Sequence, residues 1–263
     1  MRDGVLSGKT ALVTGASSGL GVDFARLLAE RGCHLIVVAR REEALNRLKQ
    51  DLEGRHGVPV HAISMDLAAP DAPQQLYSRV QAAGLKVDVL VNNAGFGLFG
   101  GFADIPWARE RAMLELDILT VVHLTKLFVP EMLSRKFGYV LNIASIGAFQ
   151  PTPTYASYAA GKAFVLNYSA AVDCELRGTG VHCTVLCPGI TRTEFYQVSG
   201  QKLTAYHRLT MMSSAEAARI GLDAMLQGRS SVVAGWFNGF IALVTKLVPR
   251  RWAAGLARWV MTM

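Results

Sequence analysis

The sequence predicts a single α/β domain built on a doubly wound parallel sheet, with helices on both of its faces. Short apolar runs alternate with segments of helical periodicity along most of the chain. A repeated strand–helix pattern of this kind requires a parallel sheet that is covered on both sides. The chain has 263 residues, of which 51% are hydrophobic, and this is enough for one sizeable core. No internal repeat and no long polar linker divides it.

The first strand, predicted at residues 9–14, is followed by a glycine-rich turn and by a helix that runs to about residue 31. Glycines allow a tight turn and a close approach of the backbone to a pyrophosphate, and the helix N-terminus supplies N–H groups and a positive dipole end. Such a loop is a weak signal alone, but it is a strong one between a strand and a helix at the start of an alternating chain. The candidate cofactor-binding residues of this turn are Gly15, Ser17, Ser18, Gly19, Leu20 and Gly21.

The second strand, predicted at residues 34–39, ends at Arg40 and Arg41. An acidic residue about twenty positions after the glycines would hold the ribose hydroxyls of NAD, whereas arginine suits the 2′-phosphate of NADP. The alternative is that both arginines only begin the next helix in solvent. We favour the phosphate role, and therefore NADP(H) over NAD(H).

The next two strands, predicted at residues 58–65 and 87–91, also end in polar or small residues. Asp66 and Leu67 follow the first of them, and the carboxylate of Asp66 is a candidate to bond an adenine amine or to cap the next helix. The second strand leads into an amide-rich turn that we expect to line the cofactor cleft and to brace the central strands. The residues of this turn are Asn92, Asn93, Ala94 and Gly95.

The second half of the chain continues the alternation. We predict a long helix at residues 107–133, a strand at 139–144, a helix ending near 178, a strand at 181–187, a helix ending at about 226, and a last strand at 230–233. The segment 190–212 has little regular pattern and is long for a connection, which is typical of a lid over a substrate site. The candidate cofactor residues at its start are Pro188, Gly189, Thr191 and Thr193.

A proton-transfer site is predicted from Ser145, Tyr158 and Lys162. Four residues separate the tyrosine from the lysine, so a helix places both on one face. A phenol titrates near pH ~10, and we expect the lysine ammonium to lower that pKa. Ser145, at a strand end, is placed to hold a substrate oxygen, and the three together suit an alcohol or a carbonyl. The alternative is a solvated tyrosine beside a surface lysine.

Charge and cysteine content narrow the classes of partner and compartment. The net charge is +7, but the basic residues are spread rather than gathered in a stripe, which argues against nucleic acid. An anionic cofactor or a membrane surface is a better match for small basic clusters than nucleic acid. The four cysteines have neither disulfide nor metal spacing, so no metal site is expected. Together with the absence of an apolar signal region at residues 1–4, they favour the cytoplasm.

Taken together, these motifs resemble the short-chain dehydrogenase/reductase family over roughly residues 7–235. The resemblance implies a Rossmann-type sheet and NAD(P)-dependent oxidation of an alcohol or reduction of a ketone or aldehyde. It implies that Tyr158 is the acid/base, that Lys162 holds the nicotinamide ribose, and that Ser145 orients the substrate oxygen. Thr193 would touch the nicotinamide carboxamide. Family members commonly form dimers or tetramers through the helix that carries the tyrosine.

Asp117 is a departure from the family pattern. The family usually has an asparagine in the long helix, where it helps to hold a water that links the lysine to solvent. Counting back from Leu124 and Thr125 places that position at Asp117. An aspartate keeps the acceptor and loses the amide donor. We predict that Asp117 takes part in the proton relay with an altered pH profile; the alternatives are a poorer enzyme or a misaligned position.

Three apolar places are expected to form the substrate pocket: residues 96–99, residues 149–153 and the loop 195–212. They predict a hydrophobic ketone, aldehyde or alcohol. The tail at 236–263 combines aromatic and basic residues, and its apolar run is shorter than the ~20 residues of a membrane span. It is expected to cover the pocket, pack on another subunit or touch a membrane peripherally.

Two rival functions remain open. The first is a non-enzymatic dinucleotide-binding sensor or scaffold on the same fold, which only Asp117 favours. The second is a membrane-associated interaction protein that acts through the tail.

Overall fold

The computed structural model describes residues 4–201 and 210–262, and its main feature is a seven-stranded parallel sheet with the order β3-β2-β1-β4-β5-β6-β9. The prediction of an α/β fold with a doubly wound parallel sheet is confirmed. Two short strands, β7 and β8, pair separately from it. The strands are β1 (Thr10–Thr14), β2 (His34–Ala39), β3 (Val60–Ser64), β4 (Val89–Asn92), β5 (Gly138–Ile143), β6 (Val181–Cys187), β7 (Thr191–Arg192), β8 (Met212–Ser213) and β9 (Ser231–Val233).

Helices cover both faces of the sheet because its strands are apolar on both sides. One face packs on α1, α2 and α8, and the other packs mainly on α3 and α5. The helices are α1 (Gly19–Glu30), α2 (Glu42–His56), α3 (Ala72–Ala82), α4 (Trp107–Leu114), α5 (Thr120–Ser134), α6 (Ala156–Glu175), α7 (Phe195–Ser199), α8 (Ser214–Leu226), α9 (Trp236–Leu247) and α10 (Arg250–Thr262).

Alternate residues of one strand enter the two cores. In β1, Ala11 and Val13 belong to the core on one side, whereas Leu12 belongs to the other. This follows from the period of two along a strand. Cys183 and Cys187 on β6 are fully buried, and burial raises the pKa of each thiol to about 12. They therefore behave as small core hydrophobes.

The long helix predicted at residues 107–133 contains a π-helical turn, Glu115–Leu119, between α4 and α5. Asp117 lies in this turn and is buried. A π turn widens the helix and changes the direction in which its side chains point, and such turns are frequent at functional sites. Here the turn contains the carboxylate that contacts Lys162 of α6.

The order of the strands places the candidate site. Chain connections leave β1 in one direction towards β2 and β3, and β4 lies on its other side. A cleft forms at such a switch point, outside the carboxyl ends of the strands. The glycine-rich turn follows β1 and the amide-rich turn follows β4, so both lie at this cleft.

The tail forms two helices, α9 and α10. None of the helices within residues 4–201 and 210–262 is long and apolar enough to cross a membrane. The boundary predicted at residue 235 stays a prediction. Of the predicted lid, residues 202–209 lie outside the described part of the chain, and α7 forms its first part.

Candidate active site

A cleft of about 440 Å³ runs along the carboxyl ends of the central strands. It is lined by every predicted catalytic and cofactor-binding residue except Gly21, Asn92 and Asp117. Asn92 is buried below the cleft, whereas Gly21 packs on Gly15 and Asp117 pairs with Lys162, which are both lining residues.

The glycine-rich turn is held against β4 by hydrogen bonds and by close packing. Thr14 Oγ1 accepts hydrogen bonds from the backbone N–H of Asn93 at 2.9 Å and of Ala94 at 3.0 Å. Gly15 has a φ of 68°, and a Cβ there would lie 2.8 Å from Asn93 Nδ2. A Cβ at Gly21 would collide with the Gly15 carbonyl oxygen. The missing side chain of Gly21 therefore lets the turn close on α1, and contact of Gly21 with the cofactor stays a prediction.

The N-terminus of α1 opens into the cleft without a side-chain cap. The N-cap residue is Ser18, and its hydroxyl makes no hydrogen bond to the first turn. The first N–H groups of a helix lack partners within the helix. Together with the helix dipole they form an anion site, and this arrangement fits a pyrophosphate.

Arg41 lies at the end of the cleft that follows β2. Its Nε donates to Ser17 Oγ at 3.2 Å, and its Nη2 lies 2.9 Å from Glu194 Oε2. Hydrogen bonding to Arg41 lowers the pKa of the Glu194 carboxyl below its ordinary value. Glu194 could not be predicted from the sequence, because its contact with Arg41 joins two distant loops that carry no shared motif.

Arg40 and Asp66 face each other beside Arg41. Arg40 Nη1 lies 4.0 Å from Asp66 Oδ2, and both side chains are at least half exposed. Asp66 Oδ1 also accepts from the backbone N–H of Ala68 at 3.0 Å. The carboxylate thus closes a turn and lines the cleft, but it does not cap the next helix, because the N-cap residue of α3 is Asp71.

The opposite end of the cleft contains Ser145, Tyr158 and Lys162 above a buried carboxylate. Lys162 Nζ lies 2.9 Å from Asp117 Oδ2, and it donates to the Ile143 carbonyl oxygen at 3.2 Å. It also lies 5.6 Å from the centroid of the Tyr158 ring. The Ser145 hydroxyl accepts from the Gly147 N–H at 3.1 Å, and it lowers the pKa of the neighbouring Tyr158 phenol.

Asp117 is fixed from two sides. Its Oδ1 accepts from the backbone N–H of Phe96 at 3.0 Å, and its Oδ2 pairs with Lys162. A Cβ at Gly95 would lie 2.8 Å from Asp117 Oδ1, so glycine is needed for this approach. Burial raises the pKa of Asp117 above its ordinary value, against the opposing influence of the Lys162 ammonium.

The pKa of Tyr158 departs from the sequence-based expectation. It is raised, not lowered: burial is the largest cause, the charge of Asp117 adds to it, and the hydrogen bond from Ser145 opposes it. The lysine ammonium is paired with Asp117, which reduces its pull on the phenolate. The residues around Tyr158 therefore favour the protonated phenol.

Asn92 braces the strands below the site, as expected. Its Nδ2 donates to Asn142 Oδ1 at 2.8 Å, and Asn142 in turn donates to Ser169 on α6 at 2.9 Å. These fully buried hydrogen bonds join β4 and β5 to the helix that carries Tyr158 and Lys162. They fix the position of the two side chains relative to the sheet.

A family model described as short chain dehydrogenase matches residues 9–204. The chain belongs to this family of oxidoreductases. It is 35% identical over 179 residues to a very-long-chain 3-oxoacyl-CoA reductase of Phaeosphaeria nodorum. That match covers 66% of this chain and 52% of the relative, so the chain spans about half the length of that protein.

Solved structures of other short-chain dehydrogenases have the same fold. A short-chain dehydrogenase from Sphingobium yanoikuyae, in complex with NADPH, superposes with a TM-score of 0.81 and 27% identity, covering 91% of this chain and 94% of that one. A 7β-hydroxysteroid dehydrogenase superposes with a TM-score of 0.88 and 25% identity, covering 98% and 99%. The cleft of this short-chain dehydrogenase thus fits a nicotinamide dinucleotide, with the uncapped helix N-terminus at its glycine turn.

Beyond Tyr158, this short-chain dehydrogenase has an aromatic wall that the sequence analysis located only in part. Tyr155 lies 5.6 Å from Tyr158, 5.4 Å from Phe99 and 6.4 Å from Phe195, measured between ring centroids. A side chain at Gly97 would collide with Phe195, so glycine lets the loop after β4 meet the loop after β6.

Tyr155 is the residue of this wall that was missed. Its hydroxyl donates to Gln201 Oε1 at 2.8 Å and bonds to Ser199 Oγ at 3.1 Å. Burial raises its pKa to about 12, so it stays protonated and connects α6 to the loop. Phe149, expected in the pocket, instead packs on a small core cluster that includes Val165.

Proposed function

We propose that this protein is an NADP(H)-dependent oxidoreductase that interconverts a hydrophobic ketone or aldehyde and its alcohol. The observation that carries the proposal is the convergence of Ser145, Tyr158 and Lys162 at one end of a cleft. The other end of the same cleft combines a glycine turn, an uncapped helix N-terminus and two arginines.

A bound nicotinamide cofactor would supply or accept the hydride, and the chain's own residues manage the proton and the orientation. In reduction Tyr158 donates the proton of its hydroxyl to the substrate oxygen, and in oxidation its phenolate accepts the proton. Ser145, which lines the same end of the cleft as Tyr158, holds the same oxygen. Tyr158 is protonated at neutral pH, which is the form that carbonyl reduction requires. Because its pKa is raised, the phenolate that alcohol oxidation requires forms only at higher pH.

Asp117 and Lys162 supply the next step of the proton path. The ammonium of Lys162 lies between the Tyr158 ring and the Asp117 carboxylate. We propose that Asp117 sets the charge seen by the phenol and replaces the amide that is usual at this position. Because the pKa of Asp117 is raised, its carboxylate takes up a proton more readily than an ordinary one. It is thus a second protonation site next to Tyr158.

Arg40 and Arg41 are proposed to select NADP(H). Both line the cleft at the end that follows β2, where a 2′-phosphate is held in dinucleotide folds. Their pairs with Asp66 and Glu194 are exposed, so a phosphate can exchange with a carboxylate at little cost. The NADPH found in the neighbour from Sphingobium yanoikuyae supports this choice.

A large apolar substrate is supported by the aromatic wall around Tyr155 and Phe195. Two relatives are named after substrates with a large apolar part. One is a very-long-chain 3-oxoacyl-CoA reductase and the other is a 7β-hydroxysteroid dehydrogenase. We propose the same class here, a ring or long-chain carbonyl compound.

Subunit association and compartment remain proposals. We propose a homodimer or homotetramer formed through α6, on which Phe164 is partly exposed and stacks on Tyr168. The four cysteines are free thiols, which suits a reducing cytoplasm.

The test is turnover of NADPH and of NADH with a panel of aliphatic, aromatic and ring ketones and aldehydes. We expect NADPH to be oxidised faster than NADH, and bulky apolar carbonyls to react faster than small polar ones. Faster turnover of small polar carbonyls would refute the substrate class.

The pairing of Lys162 with Asp117 favours a second candidate, a dinucleotide-binding sensor with little turnover. In that case NADPH would bind tightly while the whole panel stayed unreacted. Because both candidates bind NADPH, turnover of the panel separates them, and a binding titration shows that an unreacted protein is still folded.

A further inference from the structure

The two C-terminal helices present their large apolar side chains to solvent. We call these side chains the C-terminal apolar surface. Trp236 is 86% exposed, Leu247 is 81% exposed and Trp252 is 75% exposed. The members of the surface are Trp236, Phe237, Phe240, Leu243, Val244, Leu247, Trp252, Leu256 and Trp259.

Helical spacing gathers these residues on one outer face of each helix. In α10, Trp252 and Leu256 are four positions apart and lie one turn from each other. Among the side chains of the two helices that the structure describes, the buried ones are small: Ala242 in α9, and Ala253 and Ala257 in α10. A helix of a soluble domain normally buries its large apolar residues and exposes polar ones, and here that order is inverted.

The charge of the segment has one sign. From residue 235 to the end of the sequence, the charged residues are Lys246, Arg250, Arg251 and Arg258, and all are basic. Arg250 and Arg251 begin α10, whose first turn has no acidic residue. Cations at a helix N-terminus oppose the helix dipole, so helix stability does not explain their position.

We propose that α9 and α10 lie in the surface of an anionic lipid bilayer, with the C-terminal apolar surface in the boundary between headgroups and acyl chains. Tryptophan with flanking arginine suits that boundary. A second copy of the chain fits less well, because a two-fold interface brings the same patch of each copy together and would oppose two basic segments. The two helices lie on the bilayer, since no described helix is long enough to cross it.

Helix α9, whose outer side carries part of the C-terminal apolar surface, adjoins the cleft on its inner side. Helix α9 contacts the short 3₁₀ turn Ile146–Phe149, and Ile146 and Gly147 line the cleft. A side chain at Gly189, another lining residue, would collide with Asn238 of α9. The bilayer would therefore lie beside the active site, where an apolar substrate dissolved in lipid can reach it. This last step rests on the proposed function, whereas membrane binding itself does not.

The test is flotation of the full-length protein with phosphatidylcholine vesicles and with mixed phosphatidylcholine–phosphatidylglycerol vesicles. We expect flotation with the mixed vesicles, weaker flotation at high salt because the charges are screened, and little with phosphatidylcholine alone. The double variant Arg250→Gln/Arg251→Gln should partition into the vesicles about 30-fold more weakly, because each cation near an anionic surface strengthens partitioning by about fivefold. The double variant Trp252→Ser/Leu256→Ser should also lose flotation.

The matched control is Phe102→Ser/Trp107→Ser, which removes two exposed apolar side chains outside the tail and should float like wild type. NADPH binding, measured on every variant, reports that the fold is intact and does not depend on a substrate. Sedimentation measures the subunit number of each variant. If the wild-type protein does not float with vesicles, and Trp252→Ser/Leu256→Ser converts a dimer to a monomer, the surface is an interface between copies and the membrane proposal is wrong. Equal flotation with both kinds of vesicle would also refute the anionic bilayer.

Discussion

Each end of the cleft is held by an ion pair of the same length, but the two pairs differ in burial. Arg41 and Glu194 approach to 2.9 Å with side chains 50% and 49% exposed. Lys162 and Asp117 also approach to 2.9 Å, with side chains 7% and 4% exposed. The first pair lies where a phosphate is proposed to bind, and the second lies under the phenol of Tyr158.

The difference in burial gives the two pairs different roles. An exposed pair contributes about 0–1 kcal/mol to stability, so Arg41 can leave Glu194 for a ligand phosphate. A buried pair has lost the hydration of both ions, and removing one partner leaves a buried charge at a cost of about 3–5 kcal/mol. One end of the cleft is therefore exchangeable and the other is fixed.

The largest effect is expected from Lys162→Met. It should lower the free energy of unfolding by about 3–5 kcal/mol, because Asp117 is left buried without its partner, and it should remove turnover. Denaturant unfolding and NADPH oxidation measure the two effects. The double variant Lys162→Met/Asp117→Leu should regain stability without regaining turnover, and Lys126→Met, at an exposed lysine of α5, is the control. A stable single variant would show that the buried pair is not coupled as proposed.

Arg41→Ala should have the next largest effect and should act on cofactor choice. The loss of charge-assisted hydrogen bonds to a phosphate should weaken NADPH binding about 10- to 100-fold and leave NADH binding nearly unchanged. Titration with each cofactor measures this ratio. Arg47→Ala, in the same part of the chain but paired with Glu43 on α2, should change neither. An equal loss for both cofactors would assign Arg41 to the loop structure instead.

Asp117→Asn should shift the pH dependence of turnover. The Asp117 charge raises the pKa of Tyr158, so its removal lowers that pKa and more phenolate forms at a given pH. In the pH–rate profile of alcohol oxidation, the ascending limb should therefore move to lower pH. Asp173→Asn, which removes a second buried carboxylate that accepts from the Cys183 N–H, should leave the limb in place. An unchanged pH–rate curve in Asp117→Asn would remove Asp117 from the proton path.

The smallest effect is expected from Glu194→Gln. The carboxylate competes with a phosphate for Arg41, so its neutralisation should tighten NADPH binding by less than about fivefold. The same titration as for Arg41→Ala measures it, and added salt should reduce the difference from wild type. Weaker NADPH binding in this variant would show that Glu194 orients Arg41 and does not compete for it.

The sequence predicts local features of this protein better than contacts between distant segments. The strands, the glycine turn and the Tyr158–Lys162 spacing follow from local patterns. The α/β fold that these patterns predict is confirmed. The contact of Asp117 with Lys162 depends on a π turn that no local signal marks. The contact of Arg41 with Glu194 joins two loops far apart in sequence.

The tail shows the same limit. Its amphipathic character is visible in the sequence, but the periodicity does not reveal that the alanines would be buried and the tryptophans exposed. That orientation depends on which face the domain covers. For the same reason Tyr155 was missed, because its partners Ser199 and Gln201 come from the loop after β6.

The most direct test of the account is NADPH-dependent turnover of Tyr158→Phe beside Tyr155→Phe. Both tyrosines line the cleft, and each change removes one hydroxyl from a similar ring. Tyr158→Phe should lower turnover about 1,000-fold, because it removes the general acid, with NADPH binding preserved. Tyr155→Phe should retain turnover within about tenfold, since its hydroxyl only joins α6 to the loop. Comparable turnover in Tyr158→Phe and wild type would contradict the assignment of Tyr158 as the proton donor.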